Sequence, residues 1–391
     1  MTKKQTLVEQ LRGASKLAVE ATKAVTDLVE EVHHTIGGGP DLLGRPLQEV
    51  TKLLSAPTYG AIRGVTKVVG AGLDLALQSL EPMVTRAGAE QGVLLAALNG
   101  VLGDYLEATH NPLAIPMELR SGGVALKLDR DALTTCFPAG DRLLVLVHGS
   151  SMDDTQWLRN GHDHGAALAA ELGVVPLYLR YNTGLHVSEN GRRFSAVLER
   201  LVEAWPRPIS SLTLLAHSMG GLVARSACLE AEAYGHAWRT KLQRLITLGT
   251  PHHGSPLERG GNWFEALLGV TRYSAPFAKL AKLRSAGVTD LRYGNVLDAH
   301  WEGRDRFAKE DDPRGPMALP VGVKCFAVAG TTSAGAALGD GLVPVPSALG
   351  QHDDPARSLA FDETLVAPDT AHLDLLDSPA VYAQLVRWLR G

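Results

Sequence analysis

The stretch "SLTLLAHSMGGLVARSACLEAEAY", residues 211–234, limits the fold of this 391-residue chain more than any other. A short apolar run suited to a buried strand stops at His217, and helical periodicity begins at Gly220. Ser218 stands on the seam, with Ala216 two residues before it and Gly220 two residues after. A strand that becomes a helix within one residue leaves almost no room beside the turn, so small residues are needed at those two offsets. It also lifts the serine hydroxyl above the C-terminal edge of a sheet. A helix N-cap serine would explain the hydroxyl alone, but a cap does not demand Ala and Gly at those places.

The chain on either side repeats the alternation. "RLLVLV" (142–147), "VVPLYLRY", "LQRLITLG", "VGVKCFAVAG" and "SLAFDETLVA" read as strands. "WLRNGHDHGAALAAEL", "GRRFSAVLERLVEAW" and "PAVYAQLVRWL" read as helices, and "MELR" with "VALKLD" flank a Ser-Gly-Gly hairpin signal. Strands alternating with helices in this way predict an α/β fold, a doubly wound and mostly parallel sheet covered on both faces. Between His253 and Pro320 the alternation is interrupted by "WFEALLGV" and "SAPFAKLAKLRSAG", too long for a loop and expected to form a helical cap.

Residues 1–110 have another character. Leu7, Leu11, Ala14, Ala18, Ala21, Val25, Leu28 and Val32 trace a heptad seam filled largely by alanine. Gly-bearing apolar runs follow at Ile62–Leu80 and Val93–Leu106. The expected organisation is a helical N-terminal extension over 1–110 and an α/β domain over 111–391 with its cap around 253–320. An amphipathic stripe most simply packs on the main domain. It would also suit self-association through the first helix, or peripheral attachment to a membrane, lipid surface or granule.

Composition excludes several classes. The net charge of −4 and the lack of Lys/Arg blocks give no surface for nucleic acid. Cys136, Cys228 and Cys325 are too far apart to read as a disulfide framework or zinc spacing. The first residues show no continuous apolar signal core, and no apolar stretch reaches the roughly 18–20 residues of a membrane span. The cytosol is the expected compartment.

A serine on such a turn is a candidate nucleophile. The helix behind it points its amides at developing negative charge, so the Met219 N–H is one expected oxyanion donor. The second should come from the loop after an earlier strand, and in "VLVHGSSMDDTQW" the Ser150 N–H is placed for it. His148 is expected to stiffen that loop rather than act as a base. In this arrangement the chain order is serine, acid, histidine. Of the six histidines after Ser218, only His372 in "APDTAHLDLLDS" follows the last strand. His252 and His253 are expected to line the pocket, and His352 to point from the opposite end of the sheet. The acid should follow the preceding strand, where Asp340 lies between Gly339 and Gly341; Asp353 and Asp354 are its rivals.

"VLVHGSS", "LLAHSMGGLVAR", "LITLGTPHHGSP", "GDGLVP" and "AHLDLL" together resemble the α/β-hydrolase lipases and esterases, from about Glu118 to the end. They look most like bacterial triacylglycerol lipases and GPI-inositol-deacylase-like esterases. The resemblance implies hydrolysis of a carboxylic ester with a lipid or acyl substrate, carries Ser218, Asp340 and His372 over to a triad, and implies no cofactor. Some such lipases hold calcium through the aspartate of "HLD", here Asp374. Ser378 stands where a glutamine is usual and no suitable acid precedes "GDGLVP", so calcium is not carried over. The acyl chain would lie under the cap, against Trp263, Phe264 and Leu267. An intracellular polyester depolymerase, a thioesterase or acyltransferase, and a non-catalytic lipid-binding scaffold are the alternative readings.

Overall fold

The computed structural model describes residues 89–259, 284–306, 311–312, 314–332 and 339–391. The expected heptad helix, the Ile62–Leu80 run and the pocket residues Trp263, Phe264 and Leu267 lie outside them.

Eight strands form one sheet: β1 (Glu118–Ser121), β2 (Val124–Ala125), β3 (Arg142–Val147), β4 (Val175–Arg180), β5 (Ser211–His217), β6 (Leu242–Leu248), β7 (Lys324–Gly330) and β8 (Glu363–Ala367). Their order is β2-β1-β4-β3-β5-β6-β7-β8. The β1–β2 and β1–β4 pairs are antiparallel and every pair from β4 to β8 is parallel. This is the doubly wound, mostly parallel α/β sheet expected from the alternation.

Side-chain alternation along the buried strands feeds two cores. Leu143, Val145 and Val147 of β3 face one side, with Leu212 and Leu214 of β5. They meet Phe194, Leu198 and Leu201 of the helix Val187–Ala204, and Leu222, Val223 and Ala227 of the helix Met219–Tyr234. Leu144 and Leu146 face the other side, with Ile246 and Phe326. They meet Leu168 of the helix His164–Leu172 and Val381, Leu385 and Trp388 of the helix Pro379–Arg390. We label the helices α1 (Ala89–Ala108), α2 (Arg130–Cys136), α3 (His164–Leu172), α4 (Val187–Ala204) and α5 (Met219–Tyr234).

Two expectations change. The helix read from Trp157 to Leu172 is broken. A 3-10 turn covers Asp154–Trp157, Asn160 and Gly161 adopt φ of 46° and 80°, and α3 starts only at His164, where the Asp163 carboxylate accepts the Ala166 N–H. The Asn-Gly turn chemistry overrides the apolar periodicity around it. α4 starts before the run read as helix, at Val187, because Asp290 Oδ2 accepts the Val187 N–H from 103 residues away.

α1 falls within the segment expected to be an extension. Its Leu98, Val101, Leu102 and Leu106 are buried in the same core as Phe194 and Leu198. Among the described residues no helix is long and apolar enough to cross a membrane.

Candidate active site

β5 delivers Ser218 to the C-terminal edge of the sheet. Ser218 has φ 54° and ψ −127°, a region that costs a non-glycine residue about 1–3 kcal/mol and persists only where its surroundings enforce it. Here the Ser218 N–H donates to Leu248 O at 2.8 Å, tying the turn to the end of β6. A Cβ on Gly220 would lie 2.4 Å from Val147 O and 2.6 Å from His148 O, so β3 leaves space only for glycine there. Ser218 is 2% exposed.

Asp340 and His372 come together after β7 and β8. The His372 Nδ1–H donates to Asp340 Oδ2 at 2.7 Å. The other carboxylate oxygen accepts the Leu342 and Val343 amides at 3.0 and 2.8 Å, and the His372 N–H donates to Asp340 O at 3.0 Å. The carboxylate is thereby fixed in both position and rotation, and imidazole tautomer follows from the bond at Nδ1. Gly249, just past β6 at φ 58°, passes beneath the pair; a Cβ there would lie 3.0 Å from Asp340 Oδ2 and 3.1 Å from His372 Nδ1. The rival Asp354 instead caps a 3-10 turn, accepting the Ala356 N–H, and Asp353 is exposed.

The loop after β3 reaches Ser218 from the other side. A Cβ on Gly149 would lie 2.9 Å from Ser218 Cβ, which places Ser150 beside the turn. The Ser151 N–H is taken by Thr183 Oγ1 at 3.0 Å, and Ser151 itself sits at φ 58°. His148 donates Nδ1–H to Gly149 O at 2.9 Å, stacks on Tyr181 at 4.4 Å, and has its carbonyl bonded by the Tyr181 hydroxyl. Complete burial holds His148 down to about 4, so it is a neutral strut in this loop.

Other histidines fall differently from expectation. His252 is fully buried, with Thr247 Oγ1 3.3 Å and Arg225 Nη1 3.4 Å from its ring nitrogens, and burial pushes its pKa well down. His253 is partly buried and bonds Gly350 O at 3.0 Å. His352 is not remote from this edge but packs on His253, with ring centroids 5.0 Å apart. The sequence by itself assigns no role to His217, although it adjoins Ser218. Its Nε2–H donates to the carbonyl of His372 at 3.0 Å. The signal was its adjacency to Ser218; the partner is invisible without the fold.

The carboxylate of Asp374 does not face an open cation site. Its Oδ1 is 2.8 Å from Arg159 Nη2, whose guanidinium also approaches Asp377. Among the described residues no group of three or more His, Cys, Asp or Glu side chains is arranged to hold a metal. The donor set around Asp374 fits a guanidinium, not calcium.

Residues 192–312 match the family described as the PGAP1-like alpha/beta domain. That segment includes Ser218 and stops before Asp340 and His372. No curated protein matches the chain. Among solved structures, the chain is similar to the mature lipase BlEst2 of Bacillus licheniformis, at 19% identity over 65% of this chain and 93% of that one, with TM-score 0.43. The esterase Pf2001 of Pyrococcus furiosus is similar at 13% identity, over 64% and 83%, with TM-score 0.40. The type II thioesterase YbtT of the yersiniabactin pathway is similar at 15% identity, over 65% and 94%, with TM-score 0.40.

Proposed function

We propose, from the premise that the chain is an α/β-hydrolase by fold with a PGAP1-like alpha/beta segment, that it is a serine hydrolase of carboxylic esters with Ser218, Asp340 and His372 as its triad. The observation that carries this reading is the buried His372–Asp340 hydrogen bond of 2.7 Å on the same sheet edge as a serine held at φ 54°. A carboxylate bonded to Nδ1 keeps Nε2 as the basic nitrogen of a neutral imidazole.

The chemistry then runs by acyl transfer. His372 takes the Ser218 proton as Oγ attacks the ester carbonyl carbon. The carbonyl oxygen becomes an oxyanion. Since the Ser151 and Ser218 amides are bound to Thr183 and Leu248, the Ser150 and Met219 amides are the neighbours assigned to it. Collapse expels the alcohol, which takes the proton from His372. Water, deprotonated by the same imidazole, then attacks the acyl-enzyme and releases the acid and Ser218.

The apolar residues Trp263, Phe264 and Leu267 favour a lipid or long-acyl ester. The test is hydrolysis of a p-nitrophenyl ester series by purified protein, with fluorophosphonate labelling mapped by mass spectrometry. The expected result is hydrolysis that improves with acyl length and labelling at Ser218. Absence of labelling at Ser218 would overturn the reading.

A further inference from the structure

α1 precedes every strand of the sheet and lies outside the segment that matches the family, yet it packs on the catalytic edge through its glycines. Gly100 lies so close to the loop after β3 that a Cβ on it would be 1.9 Å from Ser151 Oγ, 2.8 Å from Ser151 Cβ and 3.0 Å from Ser151 Cα. Three residues on, a Cβ on Gly103 would lie 1.9 Å from Asn182 Oδ1 and 3.0 Å from Gly184 Cα. Residues three apart share a helix face, so these two glycines form one seat under the loops that follow β3 and β4.

Polar bonds from two segments lock the seat. The Asn182 Nδ2 group donates to Gly103 O at 2.9 Å, and the same side chain's Oδ1 accepts the Gly184 N–H. The Ser285 hydroxyl also donates to Gly100 O at 2.6 Å, and Asp104 Oδ2 accepts the Ala286 N–H. α1 is therefore bonded both to segment 285–286 and to the loop after β4, and cannot retreat from Ser151 without breaking buried hydrogen bonds.

We infer that α1 is a positioning element of the active site, with Gly100 fixing Ser151 and thereby the direction of the adjacent Ser150 amide. Ser151 is already constrained at φ 58°, with its N–H on Thr183 Oγ1. A push at its side chain is passed through the 150–151 peptide to the Ser150 Cα, and from there turns the 149–150 peptide that carries the Ser150 N–H. An oxyanion donor misdirected by a fraction of an ångström loses stabilisation of the transition state while ground-state binding is untouched. The inference rests on the serine-hydrolase reading proposed above.

The experiment is a rescue pair in the full-length protein. Gly100→Ala is expected to lower kcat on p-nitrophenyl butyrate by tenfold or more with KM within twofold of wild type. Adding Ser151→Gly removes the Oγ and Cβ that the new methyl meets, and glycine accepts φ 58° without strain. The Gly100→Ala/Ser151→Gly double variant is expected to regain kcat to within threefold of wild type. A helix that merely stabilises the fold would instead lower the melting temperature, and Ser151→Gly would not restore kcat.

A folded Gly100→Ala variant with wild-type kcat would overturn the inference, as would a folded double variant that stays slow. If Gly100→Ala is insoluble, the double variant alone decides: soluble and active supports the seat, soluble and slow overturns it. Fluorophosphonate labelling of wild type at Ser218 separates this from the parent reading. Without that label both fall; with it, failure of the rescue sinks only the role of α1.

Discussion

The imidazole of His217 donates from Nε2 to the main-chain carbonyl of His372 at 3.0 Å, across 155 residues of sequence. The residue before the proposed nucleophile thus anchors the backbone of the residue proposed as its base. Both groups are buried, so removing the donor leaves a carbonyl without its bond at a cost of about 1–3 kcal/mol. His217→Ala is expected to lower kcat about tenfold, the equivalent of roughly 1.4 kcal/mol, together with the melting temperature. His217→Gln, whose amide can reach the same carbonyl, should recover part of both. Unchanged kinetics and melting in the alanine variant would show the bond to be incidental.

Ser218→Ala should abolish turnover, with loss of several orders of magnitude as for removal of any triad member. It keeps the Cβ, and with it the strain at φ 54°. Ser218→Gly should be equally inactive yet melt higher than the alanine variant, because glycine adopts that conformation freely. Thermal melts of the two inactive proteins check this; a lower melting temperature for the glycine variant would contradict an enforced turn.

Asp340→Asn should lower kcat about 10⁴-fold while leaving the fold intact, since an amide at Oδ2 favours the wrong His372 tautomer. Asp354→Asn loses only a capping bond on a short exposed turn and should be near neutral, as should Asp353→Asn. Comparable losses in either of these, with Asp340→Asn active, would move the acid.

Stability should fall on acidification from pH 6.5 toward 4. Burial holds His148 and His164 down to about 4 and pushes His217 and His252 well below the ordinary value near 6.5. Native pKa values below the unfolded ones mean that the unfolded chain binds the extra protons in this window. Each group then removes up to about 1.4 kcal/mol of stability per pH unit as pH falls, and contributes in full only above 6.5. Glu258 acts oppositely: burial pushes it up to about 7, so its contribution is present in acid and lost as pH rises through 7. His253 and His300 are likewise held down to about 4 by burial, and six histidines outweigh one glutamate. Melting temperatures across pH 4.5–7.5 test the sum, and a flat profile would refute it.

Truncations separate the front of the chain. Deleting residues 2–35 is expected to leave active, soluble enzyme with changes only in self-association or lipid attachment. Deleting 2–110 removes Leu98, Val101, Leu102 and Leu106 from the core. At about 1.5–3 kcal/mol per buried side chain, that consumes the whole stability of an ordinary domain. Soluble, heat-stable protein after the longer deletion would show α1 to be separable.

What the sequence determined by itself was whatever its signals carry within a few consecutive residues. β3 and β5 were readable to the residue because apolar runs and their boundaries are local. Ser218 stood out because strand, pinch and helix adjoin it. Chain order and the Gly-Asp-Gly turn single out Asp340 and His372, and the fold puts their side chains in hydrogen-bond contact. Only the tertiary structure decided the rest. It gave α4 its cap from Asp290, set His217 on the carbonyl of His372, buried His252 beside Arg225, placed Arg159 on Asp374, and seated Gly100 on Ser151. Each of these is a contact between segments far apart in the chain. No periodicity encodes such a partner; it is chosen by the layering of the sheet and by the requirement that every buried donor and acceptor be met.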